Sequence, residues 1–224
     1  MSSCKLLLTK LNLALAKRRY KHMATKKIIA VDIDDTLAAS AQAWVAYSNQ
    51  KWETNLAVDD YDEDWAKMWQ VNTEVLRERA DHLHTTPGIT GAFKHDASAQ
   101  AVLNDLAKDY ELVITTSRHS LLQGETLEWL DKHFNGVFSN IHFAGIYDSG
   151  HHDPVSLTKA DLIEKVGADY LIDDQAKHCF AVAEQGRQAI LFGDYVWNRD
   201  VALRPGVARC RDWAAVKEYF DAQR

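Results

Sequence analysis

The sequence predicts an α/β fold: a Rossmann-like parallel sheet with helices on both faces and a small helical cap inserted after the first strand. Two observations carry that expectation. From residue 96 onward, short apolar runs alternate with stretches of helical periodicity, as in a parallel sheet joined by right-handed crossovers. In addition, apolar runs end repeatedly in polar or charged groups, most densely at Asp32-Ile33-Asp34-Asp35-Thr36, and open parallel sheets place ligands at the carboxyl ends of strands. The 224 residues, 46% of them hydrophobic, suffice for one domain with a substantial insertion.

In chain order, residues 1–22 are a basic extension. The stretch up to Lys27 carries Lys and Arg, no acid, and Leu6, Leu7, Leu8, Leu11, Leu13 and Leu15 among the cations. It reads either as an organelle transit peptide or, as we favour, an unstructured extension, with Met23 a natural start before the first strand. Residues 28–31 are an apolar run of strand length. Residues 38–95 form the expected cap: apolar side chains recur at helical spacing, including Trp44, Val45, Tyr47, Trp65, Met68 and Trp69. Four of the seven tryptophans, Trp44, Trp52, Trp65 and Trp69, lie there, and Thr86-Pro87-Gly88 breaks the chain after them. The core domain then comprises 23–37 and 96–224. Helices are expected over 96–108, 121–134, 157–166, 176–185 and 212–220, and strands over 111–115, 141–144, 170–172 and 189–192.

The formal net charge of -6 argues against a nucleic-acid polymer as partner, and no apolar run reaches the length of a membrane span. Cys4, Cys179 and Cys210 are too far apart for a metal-binding spacing, which favours a reducing, cytoplasmic setting over a disulfide framework.

The first strand poses a chemical problem, because three carboxylates in four positions at a strand end repel one another unless a cation joins them. Alternation sends Asp32 and Asp34 to the same side. Three later strand ends supply complementary groups: Thr115-Thr116-Ser117-Arg118 offers hydroxyls and backbone donors ahead of a helix, Lys159 opens a helix, and Asp173-Asp174 repeats the acidic ending. Each alone has a bland reading as a helix cap or a solvated lysine. Together they fall on one edge of the sheet. His151 and His152 with Asp153 are read as a solvated loop, Arg118 and His119, near enough to the expected site for either to touch substrate, as structural, and Cys179 as a small buried hydrophobe.

These residues resemble the haloacid-dehalogenase superfamily of phosphotransferases. Asp32-Ile33-Asp34-Asp35-Thr36 matches the strand-borne Asp-x-Asp-x-Thr signature, Thr116 with Ser117 resembles the second motif, Lys159 the third and Asp173-Asp174 the fourth. Within that superfamily the chain looks most like the 5'(3')-deoxyribonucleotidase branch, and Leu191-Phe192-Gly193-Asp194-Tyr195-Val196-Trp197-Asn198-Arg199 is similar to its closing loop. Arg118 departs from the proline that many members carry after Thr-Ser.

The resemblance implies a Mg²⁺-dependent phosphatase acting on a small phosphorylated substrate, a nucleoside monophosphate. A sugar-phosphate phosphatase and a binding module without turnover are the alternatives. Asp32 would be the nucleophile and Asp34 the general acid and base. Metal would be held by Asp32, the Asp34 backbone carbonyl and a carboxylate of Asp173 or Asp174. Thr116, Ser117 and Lys159 would bind the phosphate oxygens, and Trp65 or Trp69 would face whatever the phosphate is attached to.

Overall fold

The computed structural model describes residues 26–144 and 157–224; the basic segment 1–22 and the His151-His152-Asp153-Pro154 stretch lie outside them. Its strands are β1 (Ile28–Val31), β2 (Glu111–Thr116), β3 (Asn140–Phe143), β4 (Tyr170–Asp173), β5 (Gln188–Phe192) and β6 (Val207–Cys210). They pair in the order β3-β2-β1-β4-β5-β6, every neighbour parallel. The order runs outward from β1 in both directions, so the chain reverses between β1 and β4, where doubly wound sheets open a crevice at their carboxyl ends.

The helices are α1 (Ser40–Trp52), α2 (Trp65–Trp69), α3 (Thr73–Thr85), α4 (Ala97–Leu106), α5 (Gln123–Phe134), α6 (Lys159–Val166), α7 (Ala176–Glu184) and α8 (Trp213–Asp221). Both faces of the sheet are covered. Ile29 and Val31 join a core with Leu103, Leu106, Trp129, Phe134, Trp213 and Phe220 from α4, α5 and α8. Ala30, between them, joins the opposite core with Ile163, Cys179 and Val182 from α6 and α7. That division follows from the two-residue period of a strand, and burial on both faces explains why the strands read as continuous apolar runs. Several helices begin at a side-chain cap: Asn72, Asp96, Thr158 and Asp212 each accept a backbone N–H from the first turn, satisfying donors that have no partner within the helix.

Between β1 and β2 the chain forms α1, α2 and α3 with short 3₁₀ turns. The two ends of this insertion meet: Ala38 bridges His95, the Ala39 N–H donates to the Lys94 carbonyl and the Asp96 N–H to that of Leu37. Its tryptophans pack on one another, with ring centroids 5.6 Å apart for Trp44–Trp65, 5.2 Å for Trp65–Trp69 and 5.0 Å for Trp52–Trp69. The edge strand β6 was not expected. Its Val-Ala-Arg-Cys sequence is short, interrupted by a charge and only half-buried, so it lacks the apolar run that marks its neighbours.

Candidate active site

β1 ends at Val31, and the Asp32 N–H continues the ladder by donating to the Ile172 carbonyl on β4 at 2.9 Å. Ile33 turns into the core and is fully buried. A tight turn follows, with the N–H groups of Thr36, Leu37 and Ala38 all directed to the Ile33 carbonyl. Asp35 sits at its apex with φ 54°, a left-handed conformation that Asp tolerates better than most residues. The Asp35 carboxylate accepts the Ala41 N–H at 3.0 and 3.1 Å, near the start of α1. This turn therefore spends Asp35 on structure and leaves Asp32 and Asp34 for the crevice.

Lys159, at the first position of α6 and 1% exposed, reaches Asp32 Oδ1 at 2.8 Å and Asp173 Oδ2 at 2.5 Å. The other Asp173 oxygen accepts the Gln175 N–H at 2.8 Å. Both Asp174 donors meet at Oδ2: Trp197 Nε1 at 2.8 Å and Gln175 Nε2 at 2.8 Å. Asp32, Asp173 and Asp174 are all buried, and each contributes a ligand atom within 4.8 Å of the others. The sheet order puts them on adjacent strands, β1 and β4.

One lysine does not neutralise three buried carboxylates. Burial, reinforced by the charges of Asp173 and Asp34, pushes Asp32 up to about 8 although Lys159 opposes it. Burial and the neighbouring Asp173, Asp35 and Asp32 push Asp174 well above its ordinary range. Lys159 moves the other way: burial would lower it, but Asp173 and Asp32 together hold it firmly protonated. Oxygen donors with surplus negative charge suit a hard divalent cation.

Asp34 stands apart from that cluster. Arg118 Nε lies 2.9 Å from its Oδ2 and 3.2 Å from its Oδ1, Arg118 Nη2 lies 2.8 Å from Oδ1, and Ser40 Oγ donates to Oδ1 at 2.5 Å. Burial alone would raise this carboxyl, but the Arg118 charge and hydrogen bonds outweigh it and hold Asp34 below its usual value. Arg118 is itself buried, with Thr126 Oγ1 at 3.2 Å and the rings of Phe93 and Trp129 against its guanidinium. Its contact with Asp34 is carried in the sequence by an arginine directly after Thr-Ser.

Thr116 is fully buried at the end of β2, its Oγ1 accepting the Arg118 N–H at 3.2 Å. The Ser117 hydroxyl is buried with no partner among the described residues, which in a protein interior marks a group awaiting a ligand or a water. Trp69 belongs to the insertion's own core: it is 6% exposed and its Nε1 donates to Ser48 Oγ at 3.0 Å. Trp65 is half-buried beside it, against His84. An aromatic side chain of the insertion that periodicity passed over, Tyr61, is within electrostatic reach of the carboxylates: burial, with Asp35, Asp34 and Asp174, raises its phenol well above its usual value. Tyr61, Asp62 and Glu63 face Gln175, Val196 and Trp197 across a cleft of about 290 Å³.

With this geometry in place, residues 26–223 match the model of the family described as 5' nucleotidase, deoxy (pyrimidine), cytosolic type C protein. The chain belongs to this family. Two bacterial relatives carry provisional nucleotidase names. The protein from Halalkalibacterium halodurans is 25% identical over 197 residues, covering 88% of this chain and 93% of its own length. That from Bacillus subtilis is 22% identical over 198 residues, covering 86% and 93%. Among solved structures, a haloacid-dehalogenase-like hydrolase from Streptococcus pneumoniae superposes with a TM-score of 0.65 at 15% identity, covering 88% of this chain and all of that one. A haloacid-dehalogenase-type hydrolase from B. subtilis, solved with magnesium, gives 0.57 at 13% identity, covering 88% and 99%. This nucleotidase-family chain is thus a phosphoric monoester hydrolase acting on a small phosphorylated molecule, and it shares its fold with haloacid-dehalogenase-like hydrolases. Among the described residues no helix is long and apolar enough to cross a membrane.

Proposed function

We propose that this nucleotidase-family enzyme is a Mg²⁺-dependent phosphatase that hydrolyses a nucleoside 5'-monophosphate through a phosphorylated Asp32. The observation that carries the reading is the buried triad Asp32, Asp173 and Asp174, whose oxygens converge within 4.8 Å while, among the described residues, Lys159 alone forms an ion pair with them. The donor set fits Mg²⁺, with Asp32, the Asp34 carbonyl and Asp174 as its protein ligands. Asp174 is preferred to Asp173 because both Asp173 oxygens already accept a hydrogen bond. When bound, the ion would offset the repulsion between Asp32 and the incoming phosphate and stabilise charge on the transferring group.

The chain's own groups account for the remaining steps. Asp32 attacks phosphorus in line, the bond to the ester oxygen breaks, and Asp34, which takes up a proton as the anionic phosphate enters beside it, delivers that proton to the ester oxygen. Asp34 then takes a proton from the water that cleaves the acyl phosphate, regenerating Asp32. Lys159, Thr116 and the Ser117 hydroxyl bind the non-bridging oxygens, where donors fixed in advance contribute most. The cleft between the aromatic side chains of Tyr61 and Trp197 supports a planar nucleobase as the attached group, with half-buried Trp65 the further aromatic we assign to stacking. The free, buried Cys179 and Cys210 support a reducing cytoplasmic setting.

The test is a panel of deoxy- and ribonucleotides, sugar phosphates and small aryl phosphates, assayed with Mg²⁺ and with chelator. Turnover should favour nucleoside monophosphates, vanish with chelator, return with Mg²⁺, and be absent from a folded Asp32→Asn variant. Substantial turnover by that variant, or indifference to chelation, overturns the mechanism; preference for sugar phosphates overturns the substrate.

A further inference from the structure

The loop between β5 and β6 is built around Asp174. Asn198 is fully buried and its Nδ2 donates both to the Asp174 carbonyl at 2.9 Å and to the Phe192 carbonyl at 2.8 Å. Its Oδ1 accepts the Tyr195 N–H at 3.1 Å, which closes the loop into a fixed turn. Gly193 makes this possible: its φ is +87°, and a Cβ there would stand 2.1 Å from the Tyr195 ring, so no other residue fits without moving that ring. The Tyr195 ring stacks on Trp197 at 4.6 Å and 8°, and its hydroxyl donates to the Asp35 carbonyl at 2.7 Å. Trp197 is therefore held by a fixed turn whose own Tyr195 ring stacks on it.

Its indole N–H is used on Asp174. Trp197 Nε1 and Gln175 Nε2 both donate to Oδ2, and among the described residues no donor reaches Oδ1. Two donors on one oxygen fix the carboxylate plane and leave the other oxygen for a ligand, as expected of groups that orient a metal-binding side chain. Trp197 also meets the insertion: the Tyr61 ring packs against it, tilted, at 5.3 Å, and Glu63 pairs with Lys177 on α7. One aromatic ladder, Tyr61–Trp197–Tyr195, thus runs from the insertion to the carboxylate cluster.

We propose that Trp197 is a positioning residue for Asp174, and that Tyr61, by seating the Trp197 ring, ties divalent-cation affinity to the contact between insertion and sheet. The inference rests on the metal reading above, and its test keeps the two separable. Mn²⁺ serves as the probe, and its binding to the full chain is measured directly by loss of the free-ion resonance or by calorimetry, without substrate or turnover. Trp197→Phe keeps a ring in the ladder but removes the N–H; it should weaken Mn²⁺ binding about 10- to 100-fold while leaving the melting temperature in chelator unchanged. Tyr61→Ala should weaken binding in the same direction and by less, and Tyr61→Phe, which restores the ring, should bind as the parent does. Asp174→Asn is the reference for loss of a ligand. If Asp174→Asn abolishes binding and Trp197→Phe leaves it unchanged, the positioning role is overturned and the metal site stands. If Asp174→Asn is itself without effect, the metal site falls and the proposal with it. If Trp197→Phe binds weakly but Tyr61→Ala binds as the parent does, the link to the insertion is overturned.

Discussion

The most informative single residue is Arg118, because it shows how one fold can treat two carboxylates two positions apart differently. Asp32 is pushed up by burial among acids, whereas Asp34 is held down by a two-pronged guanidinium contact. Such a contact fixes direction as well as charge, and here it aims the group proposed to protonate the leaving oxygen. Arg118→Met should therefore cost most where that proton matters most. On an alkyl phosphate we expect kcat/KM to fall by about 10²-fold, the lower end of what a positioned acid supplies. On p-nitrophenyl phosphate, whose leaving group departs without a proton, the fall should be much smaller, and Arg118→Lys should recover part of the alkyl-phosphate rate. Steady-state kinetics on the two esters decide it; equal losses would reduce Arg118 to a packing role.

At the level of elements, the insertion separates what periodicity reveals from what it hides. Apolar spacing located its helices and its tryptophans, but spacing alone does not say which tryptophan is core. Trp69 is: its ring is enclosed by Trp52, Trp65 and Arg79, and its N–H is satisfied by Ser48. Trp69→Ala should cost about 3–5 kcal/mol of stability, visible in denaturant unfolding, with KM for a nucleotide unchanged in the folded fraction. Trp65→Leu should do the reverse, raising KM for a nucleotide more than for a small phosphate ester, since base stacking is worth about 1–3 kcal/mol. The strands carrying the acidic and hydroxyl endings were legible because burial on both faces forces continuous apolar runs. The edge strand β6 was not, because one neighbour and half-burial impose no such run. Likewise Asp32, Lys159, Asp173 and Asp174 announce themselves by their place at strand and helix ends, whereas Tyr61, Trp197 and Gln175 reach the cluster from loops or a helix cap, where no period marks them.

For the whole molecule, the buried acids link folding to pH and to cation. Asp32 is raised to about 8 and Asp35 to about 7, burial being the largest cause in both, and Asp174 is raised as well. In the unfolded chain these groups titrate at the ordinary carboxyl value, about 4. At these acids the metal-free folded state holds more protons than the unfolded one, whereas His178, lowered by burial to about 4, acts oppositely below the ordinary histidine value of about 6.5, so the fall in stability with rising pH belongs to the window from about pH 6.5 to pH 8. This is opposite to the acid-labile behaviour of carboxylates engaged in salt bridges. A divalent cation that binds only the folded form replaces those protons with positive charge, so its stabilisation grows with pH. Melting curves in chelator should thus move down between about pH 6.5 and pH 8, and the rise on adding Mg²⁺ should be larger at the upper end. Asp174→Asn removes one of the protonated acids and should flatten the chelator series while reducing the Mg²⁺ increment. A chelator series that stays level or climbs with pH would mean that Lys159 already compensates the cluster, and the case for a cation drawn from its charge would fail.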